Sequence, residues 1–101
     1  MVSFNPAATA GRRSLTAEEL SGDLVQPGHE LFGLVWVNPE RMSGTPCFTG
    51  TRVPVKSLFD HLAAGDSLET FLEDFPGVTR EQATEVLELS RARLLDDAVR
   101  A

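Results

Sequence analysis

The chain has 101 residues, one cysteine and a formal net charge of −6, from 15 acidic and 9 basic side chains. This length suits a single domain with a modest core, and the acidic balance disfavours long-range attraction to nucleic acid or anionic lipid. Cys47 is the only cysteine, which excludes an internal disulfide. The N-terminus lacks a secretory signal, and no apolar run approaches the roughly 20 residues of a membrane span. We therefore expect a cytoplasmic protein that binds no cofactor, metal ion or membrane.

The first 30 residues are predicted to form an N-terminal arm, and residues 31–101 the folded domain. The arm mixes Ala, Gly, Ser, Pro and charged residues with few large apolar side chains. Within it, Thr16 and Glu19 are spaced as a capping box, which predicts one or two turns of helix that need a surface to pack on.

A short β element follows the arm. Residues 34–37 are rich in strand formers and end at Asn38-Pro39, and residues 47–49 form a candidate second strand. The turn that follows contains Gly50, which is expected to adopt a positive φ. Because two short strands are marginal alone, this hairpin must pack on the helices or on a second subunit.

Three amphipathic helices are predicted from Val53 onward. The first has Pro54 as its first helical residue and ends at Gly65. The second is capped by Asp66 or Ser67 and stops at Pro76-Gly77. Apolar residues recur at i, i+3, i+4 and i+7 on each helix face: Val55, Leu58, Phe59 and Leu62 on the first, and Leu68, Phe71, Leu72 and Phe75 on the second.

The third helix opens with a capping box formed by Thr79 and Gln82. Its apolar face is predicted to comprise Ala83, Val86, Leu87, Ser90 and Leu94, and Leu89 and Leu95 widen that stripe beyond one simple face. The short turns force the helices to share one core. The predicted fold class is therefore mainly α, a homeodomain-like helix-turn-helix bundle preceded by the hairpin and the arm; a plain three-helix bundle is the alternative.

A series of motifs between residues 35 and 90 resembles a small bacterial family catalogued as a domain of unknown function (DUF433). The motifs occur in the family's order and spacing: Gly44, Pro46, Gly50-Thr51-Arg52-Val53-Pro54-Val55, Ala64-Gly65, Asp74-Phe75-Pro76, and Thr79 with Gln82. The resemblance implies a homeodomain-like fold and a VapB-type antitoxin, which binds a PIN-like ribonuclease toxin and commonly represses its own promoter. The first 30 residues lie outside the family pattern.

DNA contacts are expected at the start of the third helix, where Arg80 suits guanine or phosphate, Gln82 suits adenine and Thr84 suits phosphate. The Gln82 side chain cannot form the capping box and contact a base at the same time. A helix face that is simply exposed to solvent remains an equal alternative to DNA binding. Arg52 and Lys56 are candidates for clamping a phosphate near the first helix, although a structural role for the turn is favoured.

Protein contacts are expected at two places. A toxin would lie along the arm, whose candidate residues are Leu15, Glu18, Glu19, Leu20 and Leu24. A homodimer would form through the free edges of the hairpin, with Val35, Trp36 and Val37 at the interface.

The leading hypothesis is an antitoxin that neutralises a PIN-like ribonuclease toxin and binds operator DNA as a dimer. The alternatives are a stand-alone DNA-binding regulator and a protein-interaction adaptor that never contacts nucleic acid. No small-molecule substrate is expected. An enzyme is disfavoured, because Cys47 and His61 have no third orienting group in the sequence pattern.

Overall fold

A computed structural model describes residues 11–100 of the chain. A two-stranded antiparallel hairpin precedes three helices. Strand β1 (Val35–Trp36) pairs with β2 (Cys47–Phe48), and a short 3-10 turn (Met42–Gly44) connects them. The helices are α1 (Val55–Ala63), α2 (Leu68–Asp74) and α3 (Arg80–Arg100). The predicted mainly helical class with a small hairpin in front is therefore confirmed.

The helix starts follow local capping chemistry. The Ser67 hydroxyl accepts a hydrogen bond from the Thr70 amide at the start of α2. Before α3, the Thr79 amide donates to Oε1 of Gln82 and the Gln82 amide donates to Oγ1 of Thr79, both at 3.0 Å. These reciprocal bonds confirm the predicted capping box. One start is corrected: Pro54 is extended (φ −63°, ψ 137°) and precedes α1 as its N-cap instead of being its first helical residue.

One apolar core joins the hairpin to the three helices. Phe71 of α2 lies at its centre, with its ring 6.2 Å from Phe48 of β2 and 5.0 Å from Phe75. The buried cluster consists of Leu34, Val35, Phe48, Leu58, Phe71, Val78, Ala83 and Val86. The predicted apolar faces of α1 and α2, apart from the exposed Phe59, pack into or against this cluster.

The core stops halfway along α3. Ala83 and Val86 are buried, but Ser90 is exposed and Leu94 is 70% exposed. The prediction that Ser90 and Leu94 continue the core face was therefore wrong. Apolar residues recur with a period of 3.6 residues along the whole of α3, but the hairpin and the other helices pack only against its first half.

Residues 11–30 pack on the domain, so the described part of the arm is not detached from it. The Asp23 side chain is fully buried and pairs with Arg41 at 2.9 Å, and Val25 is 5% exposed. Arg12 pairs with Glu85 of α3 at 2.6 Å. Thr16 and Glu19 form their capping box reciprocally, around a turn and not at the start of an α-helix.

The edges of the hairpin are covered by the chain itself. Outside β1, the Leu24 amide donates to the Val37 carbonyl at 2.8 Å, and the Val37 amide donates to Oδ1 of Asp23 at 3.0 Å. Outside β2, the Phe48 amide donates to the Val53 carbonyl. Edge-to-edge pairing of two copies through Val35 and Val37 is therefore not available in this fold, because these backbone groups are already used.

No helix among residues 11–100 is both long enough and apolar enough to cross a membrane.

Candidate interaction surfaces

The distal half of α3, residues 90–100, projects from the domain with all its residues exposed. Leu94, Leu95 and Val99 are 70%, 52% and 85% exposed, which makes them three of the six large apolar side chains that are exposed among the described residues. A stretch of helix that displays several apolar side chains to solvent is typical of a protein-binding surface.

One exposed ion pair links this half of α3 to the rest of the domain. Arg93 pairs with Glu30 at 2.7 Å, which ties the helix to residues 11–30, called the front segment below. The Glu30 carboxylate accepts hydrogen bonds from two nitrogens of the guanidinium, and this contact raises the pKa of Arg93. The Arg100–Asp96 pair lies within the helix. The apolar side chains are therefore presented on a helix that is tethered to the domain at Arg93.

An open apolar cleft of about 210 Å³ lies where α3 leaves the core. Val86, Leu89 and Ser90 of α3 form one wall, and the others are formed by Leu31, Leu34, Val35, Pro46 and Val55. Because Leu94 is one helical turn beyond Ser90, the cleft and the projecting helix adjoin each other. A partner could seat an apolar side chain here, since protein interfaces centre on filled pockets.

The residues predicted to contact DNA have different environments. Arg80 is exposed and pairs with Glu69 of α2 at 2.7 Å, and Thr84 is exposed. Gln82 is 1% exposed, and its side-chain nitrogen donates to the Thr49 carbonyl at 3.0 Å. Gln82 therefore cannot contact a base from this position, because its amide is used inside the fold. This corrects the prediction that Gln82 contacts adenine.

The bond between Gln82 and Thr49 also joins two regions that the sequence treats separately. It fixes the turn at Gly50 against the first turn of α3, across 33 positions of sequence. Arg52 on this turn is exposed, and Lys56 is exposed and pairs with Asp60 at 2.7 Å. Gly50 has the predicted positive φ, +85°.

The residues predicted to bind a toxin lie on the front segment. Leu24 is 65% exposed and Glu18 and Glu19 are exposed, whereas Leu15 and Leu20 are half-buried. Hydrogen bonds from Thr16 lower the pKa of Glu19. Leu24 and the two carboxylates stay available to a partner.

The predicted dimer residues are partly withdrawn from the surface. Val35 is 6% exposed and belongs to the core. Trp36 is half-buried: its Nε1 donates to the Thr51 carbonyl at 2.8 Å, and the Arg41 guanidinium lies 3.5 Å from the centre of its ring. Trp36 therefore covers the turn and the buried Arg41, which is a structural role.

Cys47 and His61 are placed as packing groups. Cys47 is fully buried and its thiol donates to the Thr45 carbonyl, and burial raises the pKa of that thiol. His61 packs edge-on against Phe71 and Phe75, with Nδ1 3.0 Å from an oxygen of Asp66. Within residues 11–100, no group of three or more His, Cys, Asp or Glu side chains is placed to hold a metal ion.

Sequence reasoning missed Leu95, Val99 and Arg13 as surface groups of interest. The excess of leucines on α3, more than one helix face can bury, was the available signal for Leu95, and Val99 lies four residues beyond it on the same face. For Arg13, whose side chain lies over Gly50, nothing local in the sequence indicated the contact.

Comparisons with known proteins give a family but no described activity. The family model "Protein of unknown function (DUF433)" matches residues 35–89. The uncharacterized protein y4eO of Sinorhizobium fredii (strain NBRC 101917 / NGR234) is 41% identical over 49 residues, which are 48% of this chain and 22% of that relative. No solved structure matches. Because the family model covers more than half of the chain, from β1 into α3, this chain belongs to the DUF433 family.

Proposed function

We propose that this chain is a cytoplasmic antitoxin that binds and neutralises a PIN-like ribonuclease toxin, and that it also binds operator DNA as a homodimer. The observation that carries the toxin-binding part is the projecting half of α3, with Leu94, Leu95 and Val99 exposed. Leaving these side chains in water forgoes burial worth about 1.5–3 kcal/mol for each. A binding partner that covers them recovers this free energy.

The binding surface comprises the distal half of α3 and the apolar cleft at its base. In this proposal the toxin packs on Leu94 and Leu95 and places an apolar side chain in the cleft beside Ser90. The exposed Leu24 and the carboxylates Glu18 and Glu19 form a second contact on the front segment, where acidic groups suit the basic surface of an RNA-cleaving enzyme.

The test is co-purification with the product of the neighbouring reading frame, together with rescue of growth when that product is expressed. The variant Leu94→Ser/Leu95→Ser should abolish both, because the interface loses its apolar centre. Its matched control is Met42→Ser, which changes a 43% exposed apolar residue on the turn between the strands. Wild-type protein that neither captures the neighbour nor rescues growth would refute the toxin-binding part.

The operator-binding part assigns α2 and α3 to a helix-turn-helix pair. Arg80 and Thr84 are exposed at the start of α3, the position from which a recognition helix contacts DNA. Because the hairpin edges are covered, the homodimer must form through another surface. An electrophoretic shift with the chain's own promoter tests this part, and Arg80→Ala should weaken the binding.

The second candidate is a protein-interaction adaptor without DNA binding. It is favoured by charge: Arg80, the main predicted base-contacting residue, is neutralised by Glu69. An adaptor would fail to bind promoter DNA even at low salt, where electrostatic attraction is strongest.

A further inference from the structure

Most basic side chains of this acidic protein are paired with carboxylates of the same chain. Seven of the nine lie within 4.0 Å of a carboxylate, and all nine belong to the described residues. Among residues 11–100, the two without such a partner are Arg13 and Arg52. Both are exposed. Their free positive charge is therefore the property to explain.

The two unpaired arginines are associated with one turn: Arg52 is part of it, and the Arg13 side chain reaches it. The Arg13 side chain lies over Gly50, with its guanidinium carbon 2.6 Å from the position that a Cβ on Gly50 would occupy. Arg52 is two residues further along the chain, so its Cα lies within about 7 Å of that of Gly50. Any side chain at position 50 would overlap Arg13. The glycine thus leaves room for a guanidinium beside a second arginine.

The backbone around both arginines is fixed by hydrogen bonds. The Arg13 amide donates to the Gly33 carbonyl at 2.8 Å. On one side of Arg52, the Thr51 hydroxyl donates to the Phe48 carbonyl, and on the other the Val53 amide donates to that hydroxyl oxygen. The two arginines are therefore anchored at their Cα atoms, which lowers the entropy lost when they hold a ligand together.

The surroundings also favour an anion. The neighbouring α1 has no acidic residue in its first turn and no side-chain cap, so only the Val55 amide, which donates to the Pro46 carbonyl, is paired outside the helix at this end. Of the carboxylates near Arg13, Glu85 is already paired with Arg12 at 2.6 Å, and Glu19 interacts with Arg13 only beyond ion-pair distance. An anion held by two guanidiniums is stabilised because each donates charge-assisted hydrogen bonds to it.

We propose that Arg13 and Arg52 form a phosphate-binding site over Gly50 that takes one phosphodiester of a DNA backbone. This inference rests on the operator-binding part of the proposed function and adds a residue, Arg13, to it. A DNA phosphate is favoured over a protein carboxylate because the Gln82–Thr49 bond fixes this turn against the start of α3. A phosphate held here would set the position of Arg80 and Thr84 on the duplex.

The test measures binding of the full chain to a fluorescent mixed-sequence DNA duplex, by anisotropy at about 50–200 mM NaCl. Removing one phosphate contact lowers the slope of log K against log[NaCl] by about 1. The double variant Arg13→Gln/Arg52→Gln should therefore lower the slope by about 1, whereas two separate phosphate contacts would lower it by about 2. The control, Arg91→Gln/Arg100→Gln, makes the same change in charge on distal α3 and should leave the slope unchanged.

The conservative variant Arg13→Lys/Arg52→Lys keeps both charges and should retain the wild-type slope. A decrease of about 2 would overturn the shared site, as would a decrease no larger than that of the control. If the wild-type chain binds no duplex at all, the operator-binding part fails together with the site. If the wild-type chain binds DNA and the Arg13→Gln/Arg52→Gln variant has the same salt slope, only the proposed phosphate site is refuted. Thermal unfolding of each variant checks that it is folded.

Discussion

The buried ion pair between Asp23 and Arg41 offers the sharpest test of how the front segment belongs to the fold. Asp23 has no side-chain exposure and Arg41 has 13%. One carboxylate oxygen of Asp23 accepts a hydrogen bond from the Arg41 guanidinium at 2.9 Å, and the other accepts one from the Val37 amide at 3.0 Å. The substitution Asp23→Asn preserves the shape of the side chain but removes its charge, so Arg41 becomes a buried cation without a partner.

The expected cost is large because breaking a buried pair leaves a charge uncompensated. Breaking a buried ion pair costs about 3–5 kcal/mol of unfolding free energy. Because Arg41 is slightly exposed and stacks on Trp36, we expect Asp23→Asn to cost about 3 kcal/mol, the lower end of this range. For a domain of this size each kcal/mol corresponds to about 4–8 °C, so the melting temperature should fall by roughly 12–24 °C. The whole stability of such a domain is about 5–15 kcal/mol.

The assay is urea unfolding followed by circular dichroism, with Glu69→Gln as the matched control. That variant makes the same carboxylate-to-amide change in an exposed pair with Arg80, and should destabilise the fold far less, because exposed ion pairs contribute little. If Asp23→Asn were no more destabilising than Glu69→Gln, residues 11–30 would not be anchored as described. The front segment would then be an arm after all, as its composition predicts.

Three further outcomes follow from the same contacts. Gln82→Ala should lower the free energy of unfolding by about 2 kcal/mol in urea unfolding, because it removes a capping bond and leaves the buried Thr49 carbonyl unpaired. Arg80 holds the pKa of Glu69 below its usual value, so the pair stabilises the fold above about pH 4.5 and loses this contribution as the pH falls through the lowered pKa. In an NMR titration, Arg80→Ala should raise the pKa of Glu69; an unchanged value would contradict the pairing. Cys47 should resist alkylation at neutral pH until the chain is unfolded, and rapid labelling of the folded protein would contradict its burial.

Local signals in the sequence were sufficient to place the helices and the hairpin. Ser67, and Thr79 with Gln82, mark helix starts because their side chains bond to amides three residues away. The strand formers before Asn38 and around Cys47 mark the hairpin. These contacts span only a few residues, so the pattern of residue types carries them.

The contacts that assemble the front segment and the candidate surfaces have no such local signal. Arg12 and Glu85 are 73 positions apart, and Gln82 reaches a carbonyl 33 positions away. Composition alone indicated an arm, because the segment is anchored by charges instead of large apolar residues. Likewise, the periodicity of α3 predicted a buried Leu94, since a sequence pattern shows which residues share a face and not how far the core extends.

Hydrogen exchange of the chain alone and bound to the product of the neighbouring gene tests the central proposal most directly. In the free protein, amides of residues 91–100 should exchange faster than those of residues 83–89, because the distal half of α3 buries no side chain and only the exposed Arg93–Glu30 pair ties it to the domain. On binding, protection should appear in residues 91–100 and around the cleft. Protection confined to other surfaces, with residues 91–100 unchanged in the complex, would contradict the proposal that the projecting helix is the partner-binding surface.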